Sequence, residues 1–545
     1  MRIAPRIIAA PLVALVLAGT LSACGSGDEG AAGGGPAAVR EASGATPHLD
    51  AVAAQIRKME AATGSDTSEG VLWGVSEGNE LPGAGTGSSG FLVRTTDCWG
   101  KAGACDSSGV QKAMLAQMRG IIAGGKVLVD VASLAALADG GFRQAIVDGV
   151  AEGAKAGNAP TVRLMWGRSP ASPFKDGALR QLQAEVQQAN PKATVVAALM
   201  ANTAVLNGYS WNHAKIVAAD STVAIASGIN LWARSYLQSD NPITDVGVEV
   251  RGPAAARAQT FLDVLWRFTC ANEGFTTKYN NTIAPKGGGN GGCTAKAPAP
   301  GPATGGVKVL AVGRAGYVKD GRVTGRNANA VKISAADQRD SKCYVPPIPN
   351  DMNGSAKWDG NNPSDTALRA LVESATSKVV VAQQMLTFPC ATTPSYDVRL
   401  IDALARKVAQ GVPVTIVVSD PKSTISALET YAGNPTADRK VLMKRLEKIA
   451  GSKAKARELA CRNLTVAPFR FSDAGAWPNG TGPGHHGKVI AVDDAAFYVG
   501  SQNAYPTQQP EFGWIIEDPT VMADFRRDYL DPLVTYSSKA AIPCT

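Results

Sequence analysis

The length of the chain rules out a single ordinary hydrophobic core, because 545 residues exceed what one core usually holds, and two domains are expected. Apolar residues make up 45% of the sequence and charged residues 18%, which is typical of a soluble globular protein. The net charge of +8 is a mild excess, which favours solubility and leaves open an attraction to anionic surfaces.

The N-terminal residues have the features of an export signal. Arg2 and Arg6 are basic, and the apolar stretch over residues 7–17 is too short and too early for a membrane span. The sequence Leu-Ser-Ala-Cys that ends at Cys24 resembles the lipobox of bacterial lipoproteins, in which the cysteine is lipidated and becomes the first mature residue. We therefore predict a lipoprotein signal peptide over residues 1–23; an ordinary signal peptide, with Cys24 incidental, is the alternative.

Residues 24–47 and the cysteines agree with export. The stretch 24–47 is rich in Gly, Ala and Ser and is predicted to be a flexible tether. Besides Cys24, the chain has an even number of cysteines, which favours disulfides in an oxidising compartment: Cys98, Cys105, Cys270, Cys293, Cys343, Cys390, Cys461 and Cys544. The local pairs Cys98 with Cys105 and Cys270 with Cys293 are expected, and the other pairings stay open. A zinc site is disfavoured, because no Cys-x2-Cys pair occurs.

The first half of the chain predicts alternating strands and helices. They are a strand over Lys126–Val131, a helix over Phe142–Ala156, a strand over Thr161–Trp166, a helix over Leu179–Ala189 and a strand over Thr194–Leu199. Trp211, Asn212 and His213 then precede another strand.

The second half repeats this order. The predicted elements are a strand over Lys378–Gln383, a helix over Asp397–Gln410, a strand over Val412–Ser419, a helix over Val441–Ile449 and a strand over Leu464–Phe469, before His485, His486 and a further strand. Alternating strands and helices build α/β layers. We therefore predict an α/β fold of two homologous α-β-α sandwich domains, related by a pseudo-twofold axis, with mixed, mostly parallel sheets.

The boundary between the halves is marked by composition. Residues 285–305 are dense in Gly, Pro and Ala and are predicted to be a linker or a long surface loop. They separate an N-terminal domain over residues 48–284 from a C-terminal domain over residues 306–545.

Two of the four histidines open the same pattern, H-x-K-x4-D. The two motifs are His213, Lys215 and Asp220, and His486, Lys488 and Asp493. Each motif lies at the same place in its repeat and is followed by a Gly/Ser pair and an asparagine: Ser227, Gly228 and Asn230 after the first, and Gly500, Ser501 and Asn503 after the second.

The motif spacing predicts a shared site for an anion. Alternate residues of an extended strand point the same way, so His213 and Lys215 share a face, as do His486 and Lys488. If the repeats meet about a twofold axis, two imidazoles and two ammonium groups converge, and a phosphodiester fits this array. One imidazole can attack phosphorus while the other protonates the leaving oxygen, and the lysines can hold the non-bridging oxygens.

These residues and their neighbours closely resemble the phospholipase D superfamily, and within it the secreted actinomycete members. The resemblance covers nearly the whole chain after the tether. It includes S-W-N-H ending at His213, G-I-N-L-W over 228–232, V-D-D-A-A-F-Y-V-G-S over 492–501 and N-A-Y-P over 503–506. Two features depart from the family: Gly487 interrupts a common His-His-Lys, which makes His485 an extra neighbour, and the lipobox is unusual for freely secreted members.

The resemblance implies a two-step mechanism without metal or other cofactor. His213 would be the nucleophile that forms a phosphohistidine. His486 would be the general acid that releases the alcohol and then the base that activates water. An alcohol in place of water would give transphosphatidylation.

The resemblance also implies roles for the residues around the histidines. The substrate phosphate would be bound by Lys215, Lys488, Asn230 and Asn503, with Ser501 and Gly228 in the substrate-binding loops. Asp245 and Glu511 stand where the family places a carboxylate that orients a catalytic histidine, and Asp220 and Asp493 are expected to brace the motif strands. His485 is expected to line the site and His48 to be exposed and uninvolved, while Trp211 and Trp232 would line a lipid-entry groove or pack in the core.

The leading hypothesis is a phospholipase D that acts on glycerophospholipids such as phosphatidylcholine. We expect a monomer that meets a phospholipid membrane and no nucleic acid, and that is lipid-anchored to the outer face of the bacterial cell membrane or extracellular. An exported endonuclease with the same chemistry is an alternative, although such enzymes are usually short chains with one motif that dimerise. A phospholipid synthase is disfavoured, because the sequence shows no membrane-spanning stretch after residue 24. A lipid-binding lipoprotein with a decayed site is the non-enzymatic alternative.

Overall fold

The computed structural model describes most of the chain from residue 45 onwards. The described ranges are 45–63, 68–101, 105–168, 176–202, 210–276, 278–289, 291–318, 333–344, 347–348, 351–353, 356–390, 394–426 and 429–544. The predicted signal peptide over residues 1–23, Cys24 and nearly all of the predicted tether lie outside these residues.

Strands and helices alternate along both halves. The strands are β1 Trp73–Asn79, β2 Leu92–Arg94, β3 Leu128–Ser133, β4 Thr161–Gly167, β5 Thr194–Met200, β6 Ile216–Ala219, β7 Val223–Ser227, β8 Val246–Arg251, β9 Gly274–Phe275, β10 Asn280–Ala284, β11 Val307–Arg314, β12 Cys343–Tyr344, β13 Pro347–Ile348, β14 Val379–Gln383, β15 Thr387–Phe388, β16 Ser395–Tyr396, β17 Val414–Val418, β18 Thr424–Ser426, β19 Glu429–Thr430, β20 Leu464–Pro468, β21 Val489–Val492, β22 Ala496–Gly500 and β23 Glu511–Glu517. The α-helices are α1 Pro47–Thr63, α2 Ser108–Gly124, α3 Gly140–Lys155, α4 Asp176–Ala189, α5 Ala233–Tyr236, α6 Ala255–Ala271, α7 Ala335–Asp340, α8 Ala356–Asn361, α9 Pro363–Ser374, α10 Val398–Ala409, α11 Pro435–Ala450, α12 Lys453–Asn463, α13 Pro519–Phe525 and α14 Asp531–Ser538.

Two large sheets in the described part of the chain show the internal repeat. The sheet of the N-terminal half has the order β2-β8-β7-β6-β3-β4-β5-β10-β9, and that of the C-terminal half has the order β1-β11-β23-β22-β21-β14-β17-β20. The order β8-β7-β6-β3-β4-β5 in one sheet matches β23-β22-β21-β14-β17-β20 in the other. The two halves are therefore two copies of one α/β unit, as the sequence predicts.

The prediction that the sheets are mostly parallel is wrong. Parallel pairing occurs among β3, β4 and β5 and among β14, β17 and β20, where helices cross over between consecutive strands. The remaining neighbours in both sheets pair antiparallel. Tight hairpins join the strands that follow the motif histidines, and a hairpin can only produce an antiparallel pair.

The segment that opens the predicted N-terminal domain, from residue 48, packs with the C-terminal half. Strand β1 pairs with β11 in the sheet of the C-terminal half, and α1 packs against α9 of that half. Without β1, the polar backbone groups along one side of β11 would face an uncovered sheet edge. The sheet of the N-terminal half therefore begins with β2, at Leu92.

His48, expected to be exposed, helps to fix α1 in place. It is 7% exposed, and its Nδ1 lies 2.9 Å from Ser374 Oγ. The Glu517 carboxylate accepts the backbone N–H groups of His48 and Leu49, at 3.3 and 2.8 Å. Because the first N–H groups of a helix have no partner within it, this carboxylate stabilises the start of α1.

The two sheets face each other across one shared core. Along β11, Val309 and Ala311 point into this core, while Leu310 and Val312 point into a second core beneath the helices of the C-terminal half. A third core lies beneath the helices of the N-terminal half. Trp514 Nε1 donates to Val248 O at 3.3 Å across the shared core. The packing of the sheets brings the two motif hairpins together.

Disulfides crosslink both halves of the described chain. The predicted pairs Cys98–Cys105 and Cys270–Cys293 are formed, and the further pairs are Cys343–Cys390 and Cys461–Cys544. Cys270–Cys293 ties the predicted linker back to the end of α6. Among the described helices, we find none whose length and apolar character would let it cross a bilayer.

Candidate active site

Each motif lies at the start of a tight hairpin. His213 and Lys215 directly precede β6, and the turn to β7 carries Asp220 at a φ of 53°. The second motif directly precedes β21, and its turn carries Asp493 at a φ of 56°. Positive φ is uncommon for residues other than glycine, and aspartate and asparagine tolerate it best.

The turn aspartates bind the neighbouring strand. Asp220 accepts the backbone N–H groups of Lys126, Val127 and Leu128 at 2.7–2.9 Å. Asp493 accepts those of residues 376, 377 and 378 at 2.6–2.8 Å. Both carboxylates therefore lie at the far end of the motif hairpins and hold them against β3 and β14.

His213 is held by a carboxylate from the other half of the chain. Its Nδ1 lies 2.8 Å from Glu511 Oε2, on β23. Glu511 in turn accepts the Ser501 hydroxyl at 2.6 Å and Arg314 Nη2 at 3.2 Å. Although burial opposes it, the His213 imidazole together with Arg314 and Lys215 holds the pKa of Glu511 below its usual range.

His486 is held in the same crosswise manner. Its Nδ1 lies 2.8 Å from Asp245 Oδ2, at the start of β8, and 3.0 Å from the Tyr236 hydroxyl. Burial raises the pKa of Asp245 to about 7. Each motif histidine is thus held by a carboxylate of the opposite half. The two histidine–carboxylate pairs differ in charge, because the pKa of Glu511 is lowered and that of Asp245 is raised.

The motif lysines are buried beside the histidines. Lys215 Nζ donates to His213 O at 2.7 Å, and Lys488 Nζ donates to His486 O. Lys215 and Lys488 are 2% and 0% exposed. Asn230 and Asn503 are also buried, and Asn230 Oδ1 has no hydrogen-bond partner among the described residues.

Burial disfavours the charged forms of the motif histidines and lysines. Burial lowers the pKa of His213 to about 4 and that of Lys488 to about 8. Burial also holds the pKa of His486 and that of Lys215 well below their usual values. The charge of Lys488 also lowers the pKa of His213, and those of Lys488, Lys215 and His213 also lower the pKa of His486. An anion bound among them would favour their charged forms.

Ser501 and Gly228, predicted to lie in substrate-binding loops, lie against the carboxylates that hold the motif histidines. The Ser501 hydroxyl is already bonded to Glu511. At the equivalent position of the first repeat, a Cβ on Gly228 would collide with Asp245 Oδ1. Glycine therefore leaves room for Asp245 to approach His486.

The extra histidine lies behind the second motif. His485 is fully buried, and its Nε2 lies 2.8 Å from the Tyr529 hydroxyl. A Cβ at Gly487 would lie 2.5 Å from that hydroxyl and 3.1 Å from His485 Nε2, whereas the first motif has room for Ala214. The glycine in the second motif thus follows from the packing of His485 and Tyr529.

The two tryptophans differ in exposure. Trp211 is 7% exposed, which favours core packing over a role in a lipid-entry groove. Trp232 is half-buried, and its Nε1 donates to Ala136 O at 3.1 Å.

The site contains residues that the sequence did not single out. Tyr236 contacts both His486 and Asp245, the Tyr431 ring packs edge-on against His486 with centroids 5.2 Å apart, and Arg314 binds Glu511. Tyr236 is 250 residues from His486 and Arg314 is 197 residues from Glu511, and neither belongs to a motif, so no sequence signal could identify them. In the described part of the chain, no group of three or more His, Cys, Asp or Glu side chains is arranged to hold a metal ion.

Comparisons with known proteins identify the family. The chain is 36% identical over 522 residues to a phospholipase D of Streptomyces antibioticus, which covers 91% of this chain and 88% of the relative. It also resembles the solved structure of phosphatidylserine synthase from Haemophilus influenzae, with 15% identity, a TM-score of 0.46 and coverage of 78% of this chain and 85% of that one. The match to Nuc of Salmonella typhimurium, a phospholipase D family member, has 16% identity, a TM-score of 0.21 and coverage of 33% and 88%. No protein-family model matches the chain. The identity to the Streptomyces relative over nearly the whole of both chains shows that this chain belongs to the phospholipase D family.

Proposed function

We propose that the chain is a phospholipase D that cleaves glycerophospholipids to phosphatidate and a free headgroup through a phosphohistidine intermediate. The observation that carries this proposal is the pair of buried imidazoles, each held at Nδ1 by a carboxylate of the opposite half and each beside a buried lysine. With Nδ1 occupied, Nε2 is the nitrogen of each ring that is left to react with substrate.

His213 is the nucleophile in this proposal. Because Glu511 is ionised and accepts a hydrogen bond, the Nδ1 of neutral His213 carries the hydrogen and Nε2 carries the lone pair. Nε2 attacks phosphorus, an N–P bond forms and the bond from phosphorus to the headgroup oxygen breaks. The Glu511 carboxylate stabilises the positive charge that develops on the ring.

His486 supplies the proton in this step. The Asp245 pKa of about 7 means that the His486–Asp245 pair takes up a proton near neutral pH, whereas the pKa of His213 is about 4. His486 gives its Nε2 proton to the leaving headgroup oxygen while its Nδ1 takes the proton held on Asp245, so the ring stays neutral. Water then attacks phosphorus, His486 takes the proton from that water, and the N–P bond breaks to release phosphatidate. An alcohol in place of water gives the transfer product.

The remaining polar groups bind phosphate. Lys215 and Lys488 offset the charge on the non-bridging oxygens, and the buried amides of Asn230 and Asn503 donate hydrogen bonds to them. Asp220 and Asp493 act at a distance, because they fix the hairpins that carry the lysines and histidines.

Headgroup release from phosphatidylcholine, measured with and without EDTA, tests the function. We expect release of choline that EDTA does not abolish, and phosphatidylethanol when ethanol is added. His213→Ala is expected to abolish both turnover and the covalent intermediate, while His486→Ala stalls turnover. Plasmid nicking without headgroup release would favour the nuclease alternative, and near-normal headgroup release by both variants would contradict the assignment.

The cellular location is part of the proposal. We propose that the chain is exported as a monomer, is anchored through a lipid on Cys24 and meets a phospholipid membrane rather than nucleic acid. Cys24→Ser is expected to move the protein from the membrane fraction into the medium. A variant that stays with the membrane would contradict the lipid anchor.

A further inference from the structure

Arg314 is buried beside Glu511, the carboxylate that holds the first motif histidine. It lies at the end of β11 and is 0% exposed. Its Nη2 lies 3.2 Å from Glu511 Oε1, on the carboxylate whose other oxygen holds His213 Nδ1. The arginine therefore acts on the histidine only through Glu511.

The guanidinium group is fixed in position on all sides. Its Nε donates to Gln509 O at 2.9 Å, Nη2 also donates to Thr507 Oγ1 at 2.8 Å, and Nη1 donates to Asp365 Oδ1 at 3.2 Å. Asp365 is itself held by Trp358 Nε1 at 2.6 Å. A planar fork with this many partners holds one orientation, which a lysine in its place could not reproduce.

The carboxylate that holds the second motif histidine has different partners. Among the described residues, the hydrogen bonds to the Asp245 carboxylate come from His486, the Tyr236 hydroxyl and the Val246 N–H. The charges of Lys215 and Lys488 reach both carboxylates, so they do not distinguish the two histidines. Arg314 is thus the charge that makes the two halves of the site unequal.

The groups that face Glu511 set its charge together. The titratable and charged side chains around it are His213, Lys215, Lys488, Arg314, Tyr498 and Tyr505, with Asp365 on the far side of the arginine. Burial raises the pKa of Tyr498 and of Tyr505 far above neutrality, so both stay uncharged. Removal of Arg314 leaves the carboxylates of Glu511 and Asp365 without the cation that lies between them.

We propose that Arg314 is a positioning residue that decides which histidine attacks phosphorus: it holds Glu511 ionised and in place, so that His213 is the nucleophile and His486 the acid. This inference rests on the proposed function. The arginine bonds to the Glu511 oxygen that faces away from His213, and it acts by keeping the His213–Glu511 pair from taking up a proton. The His486–Asp245 pair, without such a cation, keeps its proton to higher pH.

The first test needs no substrate. The chain has four histidines, so the ring resonances can be assigned by NMR in the whole protein with single-histidine variants. In Arg314→Gln, the His213 ring is expected to titrate at least one pH unit higher than in the parent. In Arg314→Lys, the shift is expected to be smaller, because the charge remains but the fork is lost. An unchanged His213 titration in both variants would overturn the proposal, whatever the enzyme acts on.

The second test is kinetic. In Arg314→Gln, formation of the phosphohistidine in a single turnover is expected to slow by about 10–100-fold, the range for partners that orient a reacting group. The acid limb of kcat/KM should move to higher pH, with Arg314→Lys between the variant and the parent. Headgroup release by the parent is measured alongside, because its absence would contradict the proposed function and leave the NMR result to decide the role of Arg314.

Arg163 provides the matched control. It is 1% exposed and pairs with Asp130 at 2.7 Å and Asp263 at 2.8 Å in the N-terminal half. Arg163→Gln is expected to lower the melting temperature as Arg314→Gln does, but to leave the His213 titration and the pH profile of the folded enzyme unchanged. If both variants change the profile alike, or neither does, Arg314 is merely structural.

Discussion

At the residue scale, the site depends on contacts between groups that are far apart in sequence. The two motifs predict the histidines and lysines, because the same spacing occurs twice. The partner of each histidine could not be assigned from the sequence, since Glu511 is 298 residues from His213 and Asp245 is 241 residues from His486. Asp245 and Glu511 could be identified as candidates, but their crosswise pairing follows only from how the halves pack.

Tyr236 offers a test of the acid pair. Its hydroxyl bonds to the Asp245 carboxylate and favours the ionised form, so Tyr236→Phe should raise the Asp245 pKa above its present value of about 7. Activity that needs a proton on the His486–Asp245 pair is lost as the pH rises through that pKa. The basic limb of kcat/KM is therefore expected to move to higher pH, with a fall in kcat of about tenfold or less.

Tyr529 is the control for this change. It is a buried tyrosine that bonds to a histidine outside the motif pair, His485. Tyr529→Phe should leave the basic limb where it is. A basic limb that is unmoved in Tyr236→Phe, or that moves equally in both variants, would contradict the role given to Tyr236.

Gly487 tests the reason for the altered second motif. Gly487→Ala places a methyl group 2.5 Å from the Tyr529 hydroxyl, and relief of this overlap should displace Lys488 or His486. We expect a loss of activity of at least tenfold, because small displacements of reacting groups are costly. Adding Tyr529→Phe to the variant removes the clashing oxygen and should restore part of the activity. If the fold-losses of activity in Gly487→Ala and Tyr529→Phe simply multiply in the double variant, this account is contradicted.

At the element scale, the motif hairpins explain both a success and a failure of the sequence analysis. The alternation of strands and helices correctly predicts the parallel strands β3, β4, β5 and β14, β17, β20. The hairpin turns at Asp220 and Asp493 contain no glycine and are not marked by the usual Asn-Gly or Asp-Gly pairs. The sequence therefore predicts a strand after each motif but not its antiparallel pairing.

Asp493 tests the bracing of a motif hairpin. Its carboxylate accepts three backbone N–H groups, which outweigh burial and hold its pKa well below the usual value. A depressed folded-state pKa contributes stability that is fully present above the unfolded pKa of about 3.9 and is lost as the pH falls through the folded value. Asp493→Asn should lower the free energy of unfolding by about 2 kcal/mol at neutral pH.

Urea unfolding at several pH values measures this effect. The difference between the parent and Asp493→Asn is expected to be constant above about pH 5 and to shrink below about pH 4. Asp473 pairs with Lys539 on the surface, and Asp473→Asn should change the free energy of unfolding by less than about 0.5 kcal/mol. A pH-independent difference for Asp493→Asn would contradict the bracing role.

At the scale of the whole molecule, the halves exchange parts. The N-terminal segment that contains α1 and β1 completes the sheet of the C-terminal half, which no local pattern could predict because the pairing of β1 with β11 joins residues more than 200 positions apart. In the same way, Glu511 of the C-terminal half holds His213, and Asp245 of the N-terminal half holds His486. Trp514 also bonds to Val248 O between the sheets. The two repeats are thus one cooperative structure with one site.

Trapping of the phosphohistidine in the carboxylate variants tests the crosswise site most directly. Asp245→Asn, although in the N-terminal half, should behave like His486→Ala. After substrate is added to either variant, intact-protein mass spectrometry is expected to show a phosphatidyl adduct on His213 that is hydrolysed slowly. Glu511→Gln, although in the C-terminal half, should behave like His213→Ala and show little adduct. If each carboxylate variant instead matches the histidine variant of its own half, the crosswise account is contradicted.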